Sequence, residues 1–264
     1  MLKNSAMRIQ YASDLHLEFA DNRDLLERKN GMLPAGDVLV LAGDVSYLGD
    51  IKMIRRPFFD WCAEHFQETF IVPGNHEFYG RYDIGQTLAD YEYKYRENVR
   101  YLNNKSIRLG DVEFFFTTLW TKINPTFLWA VQRGMNDFRY GILDGMRFTA
   151  NDVDSLHDIS VAWLGSALKA STTEHKIIVT HHCPTMRLPF NAFPDSTLNS
   201  AFQVDMDNFI EGCEADYWIY GHTHFAGGSG TVIGKTQLLC NQMGYVYYNE
   251  HHDFNPSAYL DVLP

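Results

Sequence analysis

Five short apolar runs in this chain each stop abruptly at a cluster of polar, titratable side chains. Arg8 to Ser13 ends in Asp14-Leu15-His16, and Val38-Leu39-Val40-Leu41-Ala42 ends in Gly43-Asp44. Thr69 to Val72 leads into Gly74-Asn75-His76-Glu77, Lys176 to Thr180 into His181-His182-Cys183-Pro184, and Asp216 to Tyr220 into Gly221-His222-Thr223-His224. The second run has no polar alternation, the pattern of a strand buried on both faces. Groups of this kind after buried strands are costly to desolvate unless something uses them. In open α/β sheets, sites form at the carboxyl ends of strands. If the five strands are neighbours, their polar ends meet in one crevice.

The segments between these runs support an α/β reading, with helices covering a largely buried sheet. Helices are expected through Phe58 to Phe66, starting near Pro57, and near Gln86 to Asn98, where Leu88, Tyr91, Tyr95 and Val99 recur at helical spacing. Another is expected from Val153 to Lys169, capped by Asn151-Asp152, and one more up to about Cys213. Shorter strands are expected at Val99 to Asn103, Ser106 to Leu109 and Val112 to Trp120. Hairpin-like strands follow near Gly230 to Ile233, Lys235 to Cys240 and Tyr245 to Tyr248. This later run of strands suggests a second sheet packed on the first. Two stretches lack periodicity, residues 121–150 and 185–197, and loops of this kind on a rigid scaffold commonly set specificity. They are read as excursions of a single domain spanning residues 1–264, and the first six residues as a disordered tail.

Composition removes several function classes. An apolar share of 45% with 21% charged residues fits a globular chain with a sizeable core. A net charge of −11 opposes unaided binding of a polyanion such as DNA. It does not oppose a phosphoester held at a metal site, because bound cations invert the local sign. Cys62, Cys183, Cys213 and Cys240 form no C-x-x-C pair and read as free thiols. With no hydrophobic leader at the start and no run of about 18 apolar residues, a cytoplasmic chain is expected.

Taken one at a time, the polar clusters have ordinary explanations. Gly-Asn is common turn chemistry, Asp14 and Asp44 suit caps, and a single strand-end His is commonly a hydrogen-bonded structural residue. Their joint occurrence is harder to explain in that way. Asp14 and His16 are two residues apart, as are His222 and His224, so in extended segments each pair projects to one side. The pooled set offers imidazoles, two carboxylates and an amide oxygen, too many donors for one tetrahedral zinc. It suits two first-row transition metal ions, divalent or mixed-valence: Mn, Fe, Zn, Co or Ni. Asp44, alone on its strand end, is the natural bridge between cations about 3.5–4 Å apart. His65, His157 and His175 are read as surface residues and His251-His252 as part of an exposed tail.

Asp14-x-His16, Gly43-Asp44, Gly74-Asn75-His76-Glu77, His181-x-Cys183-Pro184 and Gly221-His222-x-His224 resemble, in order, the five-part signature of the calcineurin-like metallophosphoesterases. The resemblance covers roughly Arg8 to Tyr248. It implies two packed mixed β-sheets flanked by helices and a binuclear metal centre. By the same resemblance Asp14, His16 and His224 would hold one metal, Asn75, His181 and His222 the other, with Asp44 between them and His76 as the catalytic histidine. Two positions depart from the family pattern. Cys183 stands where a Pro is common, and His182 is left as a weaker candidate facing substrate. Tyr47 stands where an acid is common three residues after the Gly-Asp aspartate, so a role resting on that acid does not transfer.

The expected activity is phosphoester hydrolysis, by in-line attack on phosphorus of a hydroxide shared between the metals, with His76 serving the leaving oxygen. The expected substrate is a small or nucleotide-like phosphodiester. A phosphomonoesterase or a nuclease of the same family is the enzymatic alternative, and a catalytically silent protein-binding scaffold is the alternative of another class. Arg133, Arg139 and Arg147 could grip a second phosphate, though exposed arginines are usually just solvated. Glu77 remains without a role, as support for neighbouring residues at most.

Overall fold

A computed structural model describes residues 6–29, 31–188, 196–225 and 228–263, and its element order is strand-rich from the start. β1 (Met7–Ala12), α1 (Ala20–Arg28), β2 (Val38–Leu41), α2 (Ile51–Ile54), α3 (Pro57–His65) and β3 (Glu68–Ile71) come first. β4 (Tyr91–Arg96), β5 (Val99–Asn103), β6 (Lys105–Leu109) and β7 (Val112–Thr117) follow without an intervening α-helix. Next are α4 (Leu128–Gly134), α5 (Asp137–Tyr140), β8 (Ile142–Leu143), β9 (Met146–Arg147), α6 (Ala150–Ala170) and β10 (His175–Thr180). α7 (Asp207–Gly212), β11 (Tyr217–Ile219), β12 (Val232–Ile233), β13 (Thr236–Leu239) and β14 (Tyr259–Val262) complete the order.

Two six-stranded sheets result, ordered β14-β1-β2-β3-β5-β4 and β12-β13-β11-β10-β7-β6. In each, the inner strands are parallel and an antiparallel strand closes either edge. Alternate side chains of β2 explain its unbroken apolar run. Val38 and Val40 pack between the sheets with Phe70, Phe114, Phe116 and Val179. Leu39 and Leu41 pack outward with Phe58, Phe59 and Cys62 of α3. The outer face of the second sheet buries Phe115, Ile178 and Trp218 against Leu164 and Leu168 of α6 and Ile210 of α7. The layers are therefore helix, sheet, sheet, helix, the sandwich expected from the sequence. All five strand ends carrying polar clusters lie on parallel inner strands, so they emerge on one side.

Several local expectations are corrected. No helix spans 86–98. A short 3-10 turn at Ile84–Thr87 is followed by β4, paired antiparallel with β5. Tyr91, Tyr93 and Tyr95 alternate with Glu92, Lys94 and Arg96, and this aromatic, period-two pattern prevails over the coincidental helical spacing. The cap of α6 is Thr149, with Asp152 accepting from the Thr149 backbone N–H at 2.8 Å in a capping box. The strand expected to run to Trp120 stops at Thr117, and Leu119 and Trp120 turn through φ 72° and 55°. Up to Cys213 only a 3-10 turn, Asn199–Ala201, and the short α7 form. Residues 245–248 form no strand. Val246–Tyr248 is a 3-10 turn, and Glu250–Asp253, carrying His251 and His252, is another. The chain then returns as β14 to pair with β1, so these histidines precede an edge strand and are not in a tail. α1 and β14 were not anticipated. His157 is buried under Leu119 and Trp120, not on the surface. The four cysteines are free thiols, as expected. The expected disorder of the first residues falls mostly on 1–5, which lie outside the described residues.

Candidate metal centre

The strand-end residues reach one another through unusual backbone, not through extended alternation. Asp14, His16, Asp44, His222 and His224 have φ of 56°, 48°, 54°, 74° and 51°, in the left-handed region. Such conformations cost about 1–3 kcal/mol each and persist only where the surroundings impose them. Two glycines make the crowding possible. A Cβ on Gly43 would overlap the His181 ring, and one on Gly74 would overlap Asp44. Both flank the Gly-Asp and Gly-Asn motifs at positions where two loops touch.

Glu77 clips those loops together. Its carboxylate accepts from the backbone N–H of Gly74 (2.7 Å), Asp44 (2.9 Å), Val45 (2.8 Å) and Ser46 (3.1 Å). One buried acid thereby satisfies four backbone donors drawn from both loops. Its place in the Gly-Asn-His-Glu motif thus has a structural reason that the sequence alone left open.

Two groups of donors form around a common residue. Asp14, His16, Asp44 and His224 are mutually within reach of one ion, and so are Asp44, His181 and His222. Asn75 Oδ1 lies 3.0 Å from His181 Nε2, adding an oxygen to the second group. Asp44 belongs to both, with Oδ2 3.8 Å from His16 Nε2 and Oδ1 3.3 Å from His181 Nε2.

The outer nitrogen of every imidazole is already engaged. His16 Nδ1 contacts Glu18 Oε1 (3.0 Å), His224 Nδ1 contacts Glu250 Oε2 (2.7 Å), His181 Nδ1 contacts the Ala42 carbonyl (2.8 Å), and His222 Nε2 contacts the Ala201 carbonyl (3.3 Å). These acceptors place the proton on the outer nitrogen and leave a lone pair on the inner one. Yet the inner nitrogens face each other closely, His16 Nε2 and His224 Nε2 at 3.1 Å, His181 Nε2 and His222 Nδ1 at 3.1 Å. Opposed lone pairs at that distance repel unless a cation or a proton lies between them. The electrostatics follow the same logic. Burial opposes charge on His181 and His224, but Asp44 raises the first to about 9, and Asp14 with Glu250 raises the second to about 10. Burial would likewise raise the Asp44 carboxyl, yet His181 and His76 hold it well below the usual range. Burial instead lowers the pKa of His16 and His222, favouring their neutral, donating form. Nitrogen and oxygen donors gathered around two carboxylates, with no thiolate, fit a pair of transition metal ions.

His76 stands at the edge of this set. Its backbone N–H donates to Asp44 Oδ1 (2.9 Å), its Nδ1 contacts Glu18 Oε1 (2.8 Å), and its Nε2 faces Tyr245 Oη (3.2 Å). Burial opposes its protonation, but Asp44 and Glu18 raise its pKa above the ordinary value. Glu18 is the residue that sequence reading missed. It lies two positions past His16 and engages His16 and His76 with one buried oxygen, while Oε2 is buried without a partner. The acid beside His76 therefore comes from the loop after β1, not from position 47, where Tyr47 stands. Its signal was present in Asp14-x-His16-x-Glu18, a third polar residue at the same spacing.

The cleft above these groups holds about 290 Å³. Gly134, Met135 and Asn136, from the 121–150 stretch, form one wall, and Phe202, Tyr245 and Glu250 form the others. The described part of 185–197 does not line it, and residues 189–195 lie outside the described residues. His182 also turns away. Its Nδ1 meets the Thr118 carbonyl at 3.1 Å, its ring lies against Trp120, and burial with His181 nearby lowers its pKa to about 3. It does not face the cleft. On the far side of Asn75, the Asn75 Nδ2 donates to Tyr79 Oη (2.9 Å), and Tyr79 donates to the buried Asp137 (2.8 Å), fixing the amide so that its oxygen faces His181.

Comparison with known proteins places this geometry. A family model described as calcineurin-like phosphoesterase matches residues 7–226. An uncharacterized protein of Acanthamoeba polyphaga mimivirus is 29% identical over 97% of both chains. The crystal structure of the phosphopantetheinyl hydrolase PptH from Mycobacterium tuberculosis superposes with a TM-score of 0.68 at 18% identity, covering 99% of this chain and 97% of that one, a likeness of fold. Among the described residues no helix is long and apolar enough to cross a membrane.

Proposed function

The chain belongs to the calcineurin-like phosphoesterase family and is a phosphoester hydrolase, and from that premise we propose that it is a two-metal phosphodiesterase acting on a small or nucleotide-like ester. The observation that carries this reading is the pair of donor groups sharing Asp44, with His76 beside them and in neither of the two, its ring linked to His16 through Glu18. Asp14, His16 and His224 would hold one cation, Asn75, His181 and His222 the other, with Asp44 between. When bound, such cations neutralise charge on the phosphoryl oxygens and acidify water for attack on phosphorus.

The remaining work belongs to side chains of the chain itself. Glu18 holds His76 with its Nδ1–H inward, so that Nε2 presents a proton to the cleft. As the phosphorus–oxygen bond breaks, that proton passes from Nε2 to the leaving oxygen, help typically worth about 10²–10⁴ in rate. Tyr245 Oη keeps Nε2 aimed until a leaving oxygen takes its place. Tyr79 and Asp137 keep the Asn75 amide turned.

The charge of the cleft favours a diester. Among the described residues none of its lining side chains is a lysine or arginine, and Glu250 lies in its wall. With the cations in place, that wall would add no lysine or arginine for the second charge of a monoester, and Glu250 would oppose it. The test is hydrolysis of bis-p-nitrophenyl phosphate against p-nitrophenyl phosphate with added Mn²⁺ or with chelator. The expected result is metal-dependent turnover with the diester faster. A faster monoester would reverse the preference, and no turnover of either with any added metal would favour a binding scaffold.

A further inference from the structure

Arg133 near the end of α4, Arg139 in α5 and Arg147 in β9 line one open cavity of about 410 Å³, together with Gln132 and Thr149. Arg8, Arg28, Arg56, Arg96, Arg100 and Arg187 each form an ion pair, while Arg23, Arg55, Arg81 and Arg108 form none among the described residues and lie apart from this cavity. Among the described residues Arg133, Arg139 and Arg147 form none either. They are fixed by neutral groups instead. Arg139 Nη2 donates to the Arg133 carbonyl (3.4 Å), Arg147 Nε donates to the Phe138 carbonyl (2.7 Å), and the Arg133 guanidinium lies 4.8 Å from the Trp129 ring centre. Gln132 commits its oxygen to the Ala150 N–H at 2.8 Å, which leaves its amide donors for the cavity. In a chain of net charge −11, three exposed guanidinium groups are thus gathered on one open cavity with no ion pair among the described residues.

The cavity is connected to the metal cleft through one contact. Asn136 lines the cleft, and its Oδ1 accepts from Arg139 Nη1 at 3.4 Å. The step from the cleft to the first guanidinium is one side chain. Planar guanidinium forks bind phosphate oxygens in pairs. We propose that this cavity binds a phosphate group carried by the substrate at a point remote from the ester that is cleaved. This rests on the phosphodiesterase reading and adds a substrate class to it: diesters with a second, terminal phosphate.

The test compares two esters with the same leaving group, thymidine 5′-(p-nitrophenyl phosphate) and its 3′-phosphorylated counterpart, in wild type and in R133A/R147A. A hydrogen bond to a charged group is worth about 1.5–3 kcal/mol, roughly a factor of 10–100. Wild type should therefore favour the 3′-phosphorylated ester at least about tenfold in kcat/KM, through KM, and the variant should reduce that ratio to near one. R133Q, which replaces an exposed side chain lying over the Trp129 ring, repeats the test if the double variant folds poorly. No preference in wild type, or a preference kept in the variants, overturns the proposal. Calorimetry with inorganic pyrophosphate in the presence of chelator separates the other failures. If wild type turns over neither ester with any metal, the phosphodiesterase reading fails, and arginine-dependent pyrophosphate binding still supports a phosphate cavity while its absence overturns one. If pyrophosphate binds but the two esters react alike, the cavity serves a free anion and the substrate-borne assignment is wrong.

Discussion

Replacing Glu18 by Gln keeps the size of a buried side chain and removes its charge. In the native protein one oxygen of Glu18 serves His16 Nδ1 at 3.0 Å and His76 Nδ1 at 2.8 Å, and the side chain is 2% exposed. In the variant an amide oxygen keeps weaker, uncharged contacts. The amide nitrogen then falls where Oε2 already lacks a partner, or displaces the oxygen from the two rings. Losing a charge-assisted hydrogen bond costs about 1.5–3 kcal/mol, or about 10–100-fold in the step that uses it. If Glu18 acts through His76, that loss appears only where the leaving oxygen needs a proton. Glu18→Gln should therefore cut kcat by about 10–100-fold on an alkyl diester such as thymidine 5′-ethyl phosphate and by only a few-fold on bis-p-nitrophenyl phosphate. The assay is initial rate at saturating Mn²⁺ for wild type, Glu18→Gln, His76→Ala and the double variant, with bound metal measured for each. Groups acting on the same proton are not additive, so the double variant should be no slower than His76→Ala. Equal losses on both leaving groups with metal content intact, or losses that multiply in the double variant, would refute the reasoning.

Other expectations are independent of that one. Asp44→Asn should reduce bound metal from two ions per chain to at most one, measured by elemental analysis, and two ions retained would remove Asp44 as the shared ligand. Asp152→Ala removes the acceptor for the Thr149 N–H and Oγ1 at the start of α6. It should cost about 1 kcal/mol, seen as a melting temperature lower by roughly 2–4 °C, with activity unaffected. Burial holds the His157 pKa below its ordinary value. As pH falls past about 6.5, the unfolded chain takes up this proton before the folded one, so its contribution to stability is present above that pH and is lost below it. The difference in melting temperature between wild type and His157→Gln should therefore narrow from about pH 7.5 to about pH 5.5, and a constant difference would show that His157 takes up its proton equally in the folded and unfolded chains, with no shift from burial.

Much of the fold was legible because buried strands are locally coded. Val38 to Leu41 is apolar throughout because both its faces are covered, and that holds wherever the strand sits in its sheet. The exception, 86–98, contained both a helical spacing and an alternation of tyrosines with charged residues. What decided between them was pairing with β5, a partner adjacent in sequence but with no local signature of its register. α1 and β14 escaped notice because α1 buries only Asn22 and Leu26, and β14 is an edge strand half exposed along its length. His157 looked like a surface residue because helical position alone does not say which face meets Leu119 and Trp120.

The motif residues of the candidate site were all visible in the chain, and the structure gathers them at one end of the parallel strands. The sequence by itself determined which side chains arrive there, because residue type and strand-end position are properties of the chain. It did not determine how they meet. The left-handed turns at Asp14, His16, Asp44, His222 and His224 are sustained by loops packed against one another, and the clip at Glu77 joins amides from two motifs. The partner of His76 was likewise decided by tertiary structure. The sequence reading named no partner for it, and the path of the chain after β1 brings Glu18 to 2.8 Å of the imidazole. Strand ends are fixed by local hydrophobic pattern, but hydrogen bonds between loops depend on where separate strands place them, and that information lies in the packing of the two sheets.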